Sequence, residues 1–382
     1  MIRAINASVT CGSAKTVDLR TTAAVNAAPR CDVLKRPKRM QLPRYVDIGS
    51  GTLRRISAIL DSMRIRGRFL VVTGPKETLR YGRQVFNALS SSNDADLISI
   101  AGGKSEATKE LMAGMERAPF NYLVAVGGGK VIDAAKLVAY KSNCEFISVP
   151  TILSHDGIAS SRVSVANSGG VASVDAVAPI AIIMDTRVLS SAPYRFLASG
   201  CGDTVAKRTA VMDWDLAYRL GKEDKSEYAC ALSLMSATMV MDSADLIRAA
   251  GEEGVRLVAK ALIGSGVAMS IAGSSRPASG SEHLFSHALD AICPGVALHG
   301  EQVGVGTIMM MYLHGGNWQD IRNFLIRIGA PVTATELGIE KAAIIQAMTR
   351  AHLVRPHRYT ILGETGLSEP AARRIAERTG VI

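Results

Sequence analysis

The sequence predicts an α/β domain built on a parallel β-sheet, followed by a domain made only of α-helices. In the first half, short β-branched runs that end at Gly or Pro alternate with segments that carry apolar residues at helical spacing. A glycine-rich junction joins one of these runs to the next helical segment. From Pro193 onward the chain is rich in Ala, Leu and Met and has hardly any strand-like runs. We therefore assign residues 39–187 to the α/β domain and residues 188–382 to the helical domain.

The strands of the first domain are predicted from runs of β-branched and aromatic residues, and the helices from the apolar spacing between those runs. The predicted strands are Tyr45–Gly49, Arg68–Gly74, Asp96–Ala101, Tyr122–Val126, Phe146–Pro150 and Ile180–Met184. Helices are expected between them, for example over Gly51–Met63 and Ser105–Arg117. Residues 167–173 are polar and interrupt the alternation. Strands that alternate with helices predict βαβ units and a parallel sheet.

Residues 1–38 differ from the rest of the chain. They are rich in Ala, Thr, Ser and Arg, poor in acidic residues, and without a sustained period. We expect a disordered extension, which is either a transit peptide or the result of a start codon placed upstream of Met40.

Length and composition set further limits. A chain of 382 residues with 48% hydrophobic residues and 35 glycines can bury a large core and is expected to divide into two domains. Its six cysteines include no C-x-x-C pair, which argues against a disulfide framework or a thiolate zinc site and favours a reducing cytoplasm. No apolar run reaches the roughly 18 residues of a membrane span, and the N-terminus lacks an apolar signal core. We expect a soluble, cytoplasmic protein without a membrane span.

The formal net charge of +10 suits an anionic ligand. Much of the excess lies at Lys35–Arg39 and between Arg350 and Arg378, and not in a basic stripe interleaved with aromatic residues. We therefore expect no nucleic-acid partner.

The stretch from Val124 to Lys136 is the first functional signal. An apolar run stops at Gly127, Gly128 and Gly129 and resumes with helical spacing. Glycines at a strand–helix junction let a pyrophosphate approach the backbone, and the helix that follows offers free N–H groups and the positive end of its dipole. This pattern predicts a dinucleotide site, although its spacing is not G-x-G-x-x-G and glycine turns also serve packing alone.

The second signal lies in the helical half. His283 and His287 stand four residues apart, on one face of a predicted helix. His299 follows, and Asp203 opens another helical stretch upstream. Two imidazoles and a carboxylate would make a three-ligand site for a divalent ion that leaves positions open for substrate. The alternative for each histidine is a buried, hydrogen-bonded structural role.

Three segments carry a resemblance to a known family: Gly127–Lys136, Val149–Ser160 and Ser279–His287. Together they resemble the archaeal sn-glycerol-1-phosphate dehydrogenases, which belong to the wider superfamily of iron-containing alcohol dehydrogenases, glycerol dehydrogenase and dehydroquinate synthase. The resemblance covers approximately residues 38 to 360. It implies a dehydroquinate synthase-like fold, in which a Rossmann-like dinucleotide-binding domain precedes a helical metal-binding domain.

The resemblance also implies roles for individual residues. Asp203, His283 and His299 match the family's metal ligands, which form the catalytic centre, with zinc the usual ion and iron or nickel also acceptable to such donors. Asp156, Asp203 and His287 match substrate-binding residues, whereas His155 matches no residue with a known role. The positions that match cofactor-binding residues are Gly127, Gly128, Gly129, Lys130, Val131, Ile132, Asp133, Thr151, Ile152, Leu153, Ser154 and Ser160.

The implied reaction is the reduction of dihydroxyacetone phosphate to sn-glycerol 1-phosphate with NADH or NADPH, which supplies the backbone of archaeal ether lipids. The alternatives are a glycerol dehydrogenase or another polyol dehydrogenase, a dehydroquinate synthase-like lyase, and a non-catalytic binding protein. The segment from Ser154 to Ser160 argues against a glycerol dehydrogenase and against a dehydroquinate synthase-like lyase, and retention of all the presumed metal ligands argues against a non-catalytic binding protein.

Several features remain open at this stage. No carboxylate precedes Glu77 after the strand at Arg68–Gly74, and Lys76 stands close behind it, so NADP(H) should be tolerated at least as well as NAD(H). Arg162, Lys207 and helix N-termini are the candidates for binding the substrate phosphate. The chain is expected to form a homo-oligomer, with the run Met309–Met311 either in the core or in an interface.

Overall fold

The described part of the chain, in a computed structural model, comprises residues 40–117, 119–167 and 170–382. The extension predicted over residues 1–38 lies outside these residues. Met40–Ile382 forms one compact unit. Strands alternate with helices as far as Asp185, and the elements after that residue are helices. The division at residue 187 stays a prediction, although the last strand ends two residues before it, at Asp185.

A six-stranded sheet forms the first half. The strands, in chain order, are β1 (Tyr45–Gly49), β2 (Arg68–Thr73), β3 (Asp94–Ser99), β4 (Tyr122–Gly127), β5 (Glu145–Pro150), β6 (Arg162–Asn167), β7 (Gly170–Asp175) and β8 (Ala181–Asp185). The sheet has the order β1-β8-β5-β4-β2-β3, and all of its neighbouring strands are parallel, as the sequence predicts. The six predicted strands are therefore confirmed, with ends that move by at most two residues.

Helices cover both faces of the sheet and make up the second half of the chain. The first four are α1 (Ile56–Ser62), α2 (Glu77–Ser90), α3 (Lys104–Arg117) and α4 (Gly129–Lys141). The remaining helices are α5 (Thr186–Ser190), α6 (Tyr194–Val205), α7 (Lys207–Arg219), α8 (Glu227–Asp242), α9 (Ala244–Arg248), α10 (Glu252–Ala272), α11 (Ser281–Ile292), α12 (His299–Leu313), α13 (Trp318–Arg327), α14 (Ala334–Leu337), α15 (Lys341–Val354) and α16 (Glu369–Arg378). Two 3-10 turns, Thr52–Arg55 and Asp156–Ile158, complete the described elements.

The central strands are buried on both faces, which explains why their sequences are continuously apolar. In β2, Leu70 and Val72 belong to the core on one side of the sheet, and Phe69 and Val71 belong to the core on the other side. The first of these cores continues into the helical half of the chain, so the sheet and the helices that follow it share one apolar interior.

The order of the strands reverses between β2 and β4. From β2 the chain moves outward to β3, whereas from β4 it moves in the opposite direction to β5. In parallel sheets, ligands bind in the crevice at the carboxyl ends of the strands where the order reverses. The glycine turn that begins at Gly127 lies at the carboxyl end of β4, beside this point.

The sequence did not predict the antiparallel hairpin of β6 and β7, which spans the residues read as a polar interruption. The signal was the alternation of Val163 and Val165 with polar residues in β6, and Val163 is buried. The predicted helix over Gly51–Met63 is also modified, because its first turn is the 3-10 turn Thr52–Arg55.

Two apolar features of the helical half belong to the interior. Helix α10 is long and apolar enough to cross a membrane by length and composition, but 61% of its most apolar 18-residue window is buried within the protein. Core helices of soluble proteins have the same character. The run Met309–Met311 is likewise buried, so it belongs to the core of this chain.

Candidate active site

Three predicted ligands from three helices meet at one point. Asp203 lies on α6, His283 on α11, and His299 is the first residue of α12. The Nε2 atom of His283 is 3.3 Å from Oδ1 of Asp203, and the imidazole centroids of His283 and His299 are 5.1 Å apart. One ligand atom from each residue lies within 4.8 Å of the others. The structure thus brings together residues that are separated by almost a hundred positions in the sequence.

Glycines allow the helices to approach closely enough for this. A Cβ atom at Gly202 would lie 2.3 Å from the carbonyl oxygen of Gly300, and one at Gly300 would lie 1.9 Å from the carbonyl oxygen of Ser199. Real Cβ atoms do not come so close to backbone atoms, so α6 and α12 can pack in this way only where both positions are glycine. These contacts stand directly beside Asp203 and His299.

Each imidazole is oriented by a neighbour on α11. The Nδ1 atom of His283 lies 2.8 Å from Oε1 of Glu282, so its proton is held there and Nε2 keeps its lone pair for a ligand. Glu282 is fully buried and also accepts hydrogen bonds from the Gly280 N–H group and the Thr209 hydroxyl. Although burial acts against its charge, the neighbouring His283, followed by the bonds from Gly280 and Thr209, holds the pKa of Glu282 below its ordinary value.

His299 is oriented by a second set of hydrogen bonds. The Ser286 hydroxyl donates to Oε1 of Gln302 at 2.9 Å and lies 3.2 Å from Nδ1 of His299. Because a hydroxyl has a single proton, His299 donates its Nδ1–H to Ser286, and its Nε2 atom faces the other ligands without a proton. The Gln302 amide is held in turn by Oδ1 of Asp290 at 2.8 Å.

A buried ammonium group balances the carboxylates. The Nζ atom of Lys207 lies 3.0 Å from Oδ1 of Asp203 and 2.8 Å from Oδ2 of Asp156. Burial opposes the charge of Lys207, but these two carboxylates raise its pKa above the ordinary value. Burial also opposes the charge of Asp203, yet Lys207 and His283 hold the pKa of Asp203 well below its ordinary range. The site therefore keeps an ionised carboxylate at the meeting point of the histidines.

This donor set fits a divalent metal ion. Two imidazole nitrogens and one carboxylate oxygen are typical of catalytic sites, which keep further positions open. The hydrogen bonds that His283 donates to Glu282 and that His299 donates to Ser286 leave both Nε2 atoms available, as a ligand requires. A second group with suitable spacing, His287, Asp290 and His299, shares His299 with the first. We favour the first group, because it consists of the three residues that the sequence predicts as metal ligands.

The two remaining predicted substrate residues face the same cavity. Oδ2 of Asp156 accepts from the Ser265 hydroxyl at 2.7 Å in addition to Lys207. His287 is stacked on His299 with ring centroids 5.7 Å apart. Burial, followed by the neighbouring His299 and Arg355, lowers the pKa of His287 well below its ordinary value, so this imidazole is uncharged near neutral pH.

The glycine turn borders the same cavity as this cluster through Gly129. Gly127 ends β4, and Gly128 precedes α4 with no side chain that caps the first turn of the helix. A Cβ at Gly129 would lie 1.8 Å from Nε2 of His155, and a Cβ at Gly128 would lie 2.8 Å from Ile152. Packing against the loop after β5 therefore requires these glycines as well as an open helix terminus for an anion.

The other predicted cofactor positions divide into two groups. Gly129, Lys130, Asp133, Ser154 and Ser160 line the cavity, together with the predicted substrate and metal residues. Val131, Ile132 and Leu153 are buried in the core, and Thr151 is buried with a hydroxyl that has no hydrogen-bond partner among the described residues. An orphaned buried hydroxyl beside the glycine turn is suited to receive a ligand.

His155 has a structural role. Its Nδ1 atom accepts the N–H of Gly157 at 2.9 Å and caps the 3-10 turn Asp156–Ile158. This bond positions Asp156, whose own N–H donates to Oδ2 of Asp203 at 3.0 Å. His155 also lines the cavity.

The cavity that joins these groups has a volume of about 570 Å³. Its lining combines two kinds of chemistry, namely the start of α4 after the glycine turn and the cluster of His and Asp residues. A chamber of this size holds a small substrate and the reactive end of a larger cofactor.

The sequence-derived candidates for phosphate binding are only partly suitable. Lys207 is committed to Asp156 and Asp203 and also donates to the carbonyl oxygen of Ala278, so it is a structural counter-charge. Arg162 lines the cavity but bonds across the hairpin to Asp175 and to the hydroxyl and carbonyl oxygens of Ser173. A residue that the sequence reasoning missed, Arg355, also lines the cavity, with Nη2 3.4 Å from Nε2 of His287.

Comparisons with known proteins agree with this geometry. A sequence model of the family described as iron-containing alcohol dehydrogenase matches residues 47–193. A protein named glycerol-1-phosphate dehydrogenase (NAD(P)+) from Methanosarcina barkeri is 53% identical to this chain over 346 residues, which are 90% of this chain and 97% of that protein. One of the same name from Methanosarcina mazei is 52% identical, again over 90% of this chain and 97% of the relative.

The fold has solved counterparts. The crystal structure of glycerol dehydrogenase from Schizosaccharomyces pombe superposes with a TM-score of 0.75 at 20% identity and covers 90% of each chain. At that identity the likeness concerns the fold alone. It confirms the predicted arrangement of a parallel-sheet half followed by a helical half.

Proposed function

The chain belongs to the glycerol-1-phosphate dehydrogenase family, and from this premise we propose that it reduces dihydroxyacetone phosphate to sn-glycerol 1-phosphate with NADH or NADPH. The observation that carries the proposal is the single cavity between an open helix terminus after a glycine turn and the cluster of Asp203, His283 and His299. The helix terminus suits a dinucleotide, and the cluster suits a divalent ion. A substrate between them would meet both.

The metal centre of this proposal is formed by Asp203, His283 and His299. When bound, a divalent ion supplies a Lewis acid that polarises a carbonyl oxygen, and a reduced nicotinamide supplies the hydride. The protein supplies the preorganisation: Glu282 and Ser286 fix the two imidazoles, and Lys207 keeps Asp203 ionised. Because these groups are buried and already oriented, little reorganisation accompanies the reaction.

The substrate is proposed to lie between Asp156 and His287. The Asp156 carboxylate faces the cavity and accepts hydrogen bonds, so it can accept one from a substrate hydroxyl. Since Arg355 can only donate, His287 accepts at Nε2 and carries its proton on Nδ1. His287 thus serves as an uncharged hydrogen-bond donor. The cofactor is proposed to contact the predicted positions from Gly127 to Asp133, Thr151 to Ser154, and Ser160.

Three further properties belong to the proposal. Zinc is the metal that we favour, because two imidazoles and a carboxylate are a common catalytic zinc set, although iron and nickel accept the same donors. The buried thiols of Cys144, Cys201 and Cys230 are unpaired, which supports a reducing cytoplasm. A homo-oligomer is supported by apolar side chains exposed on α8, where Tyr228 and Met235 are 69% and 54% exposed.

The experiment that tests the function is the oxidation of NADH and NADPH by purified, zinc-loaded protein with dihydroxyacetone phosphate, with unphosphorylated dihydroxyacetone, and without substrate as a control. We expect turnover of the phosphate ester that a chelator abolishes and added zinc restores. Efficient turnover of the free ketone, with none of the phosphate ester, would make the chain a glycerol dehydrogenase. A chain that binds no metal and turns over neither would be a non-catalytic binding protein.

A further inference from the structure

Arg355, the residue directly after α15, lines the cavity. The helix runs to Val354, and the sequence Arg355-Pro356 stops it, because the residue before a proline is disfavoured in helical conformation. Arg355 accordingly leaves the helix with φ −141° and ψ 80°. Its side chain is only 4% exposed and lines the cavity beside His287.

The charges near Arg355 favour an anion. The charged group that most influences its pKa, after burial, is another cation, Arg162, and together they lower the pKa to about 10. Burial and then Arg355 itself lower the pKa of the adjacent Arg358 to about 9. His287 lies within hydrogen-bonding distance of Arg355. A negatively charged ligand would relieve this concentration of positive charge.

A hydroxyl group provides a second, independent sign of a ligand in this cavity. Ser279 is 6% exposed and lines the cavity, and its Oγ atom has no hydrogen-bond partner among the described residues. Its loop is held in place by Arg358, which donates to the carbonyl oxygen of Ser279 at 2.6 Å and to the hydroxyl of Ser275 at 2.9 Å. A buried hydroxyl held in place without a partner costs free energy until something binds it.

We propose that Arg355 and Ser279 bind the phosphate group of the substrate. This inference rests on the function proposed above and adds the residues that select a phosphorylated ketone over a free one. His287 stacks on His299 at one side and contacts Arg355 at the other, so the subsite is one side chain away from the metal-ligand cluster. A planar guanidinium can donate two parallel hydrogen bonds to a phosphate. A free ketone offers no such anion to the guanidinium and the hydroxyl.

The test uses three variants and one matched control in the zinc-loaded protein. Arg355→Met removes the charge, Arg355→Lys keeps the charge but not the planar donors, and Ser279→Ala removes only the hydroxyl. The control is Arg350→Met, which removes the same charge from an exposed position on α15. For each protein, kcat and KM are measured for dihydroxyacetone phosphate and for NADPH, together with the inhibition constant of inorganic phosphate.

We expect Arg355→Met to raise the KM for dihydroxyacetone phosphate and the inhibition constant of inorganic phosphate by about 100-fold or more. Arg355→Lys should recover part of this loss, and Ser279→Ala should show a loss of about 10-fold. The KM for NADPH should stay within about threefold in all variants, as should every constant in Arg350→Met. A rise in the KM for NADPH instead would assign the subsite to a cofactor phosphate and overturn the inference.

Other outcomes are equally decisive. If Arg355→Met lowers kcat but leaves the KM for dihydroxyacetone phosphate and phosphate inhibition unchanged, Arg355 only positions His287 and the inference is wrong. If the wild-type protein does not turn over dihydroxyacetone phosphate, the proposed function fails by itself. Calorimetric titration with inorganic phosphate then decides the subsite alone: binding that is lost in Arg355→Met supports an anion site, and equal or absent binding in both proteins rejects it.

Discussion

Asp203 is the residue on which most of the site depends. Its two carboxylate oxygens contact the Lys207 ammonium group and the His283 imidazole and accept a hydrogen bond from the N–H of Asp156. The residue is almost completely buried. The same carboxylate therefore joins the helical half, through α6, to the loop that follows β5. An ionised group in this setting is stable only with cations beside it, namely Lys207 and the proposed metal ion.

We predict that Asp203→Asn abolishes metal retention, because the substitution keeps the shape but removes the charged ligand. Metal content after exhaustive dialysis should fall from about one ion per chain to almost none. Asp290→Asn serves as the matched comparison, since Asp290 belongs to the overlapping group of possible ligands. Retention in Asp203→Asn with loss in Asp290→Asn would move the metal to His287, Asp290 and His299.

Ser286 allows a finer test of how His299 is oriented. Ser286→Ala removes the acceptor of the His299 Nδ1–H group without touching the ligand itself. Metal affinity should fall by about 10- to 100-fold, as measured by competition with a chromogenic chelator, while thermal stability without metal changes little. Ser90→Ala, an exposed serine on α2, is the control. Unchanged affinity would mean that the packing of α12 alone orients the imidazole.

Cys144 gives a prediction about reactivity and pH. Burial raises the pKa of its thiol from 9.0 to about 12, so the native protein holds it protonated well above neutral pH. Only the thiolate attacks a disulfide reagent, so Cys144 should not react with one at pH 8 until the protein unfolds. Because the unfolded thiol ionises near pH 9 and the folded one near pH 12, this group favours unfolding increasingly over that range. Labelling followed by peptide mapping checks this, and rapid native labelling of Cys144 would refute it.

At the scale of elements, the crossing of α6 and α12 determines whether the site forms. Their contact at Gly202 and Gly300 leaves no room for a methyl group, since the opposing atoms belong to the backbone. The bidentate bond from Arg195 to Glu301 fixes the start of α12 in the same region, with Nε–Oε1 and Nη2–Oε2 distances of 2.5 and 2.7 Å. The positions of Asp203 and His299 are consequences of this crossing.

We predict that Gly300→Ala pushes the two helices apart and lowers both stability and metal affinity. Overpacking of this kind costs about 1–3 kcal/mol of unfolding free energy, which denaturant titration of the metal-free protein measures. Gly251→Ala is the control, because a Cβ at Gly251 meets no atom within 4 Å and its φ is −76°. Equal stability of the two variants would show that α6 and α12 can separate at little cost.

The elements also show what the sequence could predict and what it could not. Strands and helices were predictable because the period of the hydrophobic residues and the Gly or Pro residues that end each run are local signals. The spacing of His283 and His287 correctly indicated that they lie on one face of a helix. The hairpin of β6 and β7 was missed because its apolar alternation is short and is interrupted in the sequence by the polar and glycine residues from Asn167 to Gly170. Arg355 was missed because its burial depends on the distant α11, and no local pattern marks it.

At the scale of the whole molecule, the reversal of strand order places the ends of β2 and β4 side by side, with Thr73 paired to Val126. Lys76 follows β2 in a left-handed conformation, with φ 65°, and its side chain is exposed at this edge. The glycine turn follows β4 at the same edge. A cofactor that binds at the turn would therefore extend toward Lys76.

From this arrangement we predict that Lys76→Ala raises the KM for NADPH several-fold, about 3- to 10-fold, and leaves the KM for NADH within about twofold. The reason is that the ammonium group favours the 2′-phosphate, which only NADP(H) carries. Steady-state kinetics with both cofactors measures the change, with Lys130→Ala as a comparison that alters the other lysine near the turn. An unchanged ratio of the two KM values would remove Lys76 from cofactor selection.

The central claim is that a cofactor wall and a metal-ligand wall enclose one substrate between them, so that hydride reaches only one face of its C2 atom. The stereochemistry of the product tests this most directly. Zinc-loaded protein is incubated with dihydroxyacetone phosphate and NADPH, and the glycerophosphate is resolved into its enantiomers. The account predicts the sn-1 enantiomer alone, with none formed by Asp203→Asn. Formation of the sn-3 enantiomer, of a mixture, or of no glycerophosphate would contradict it.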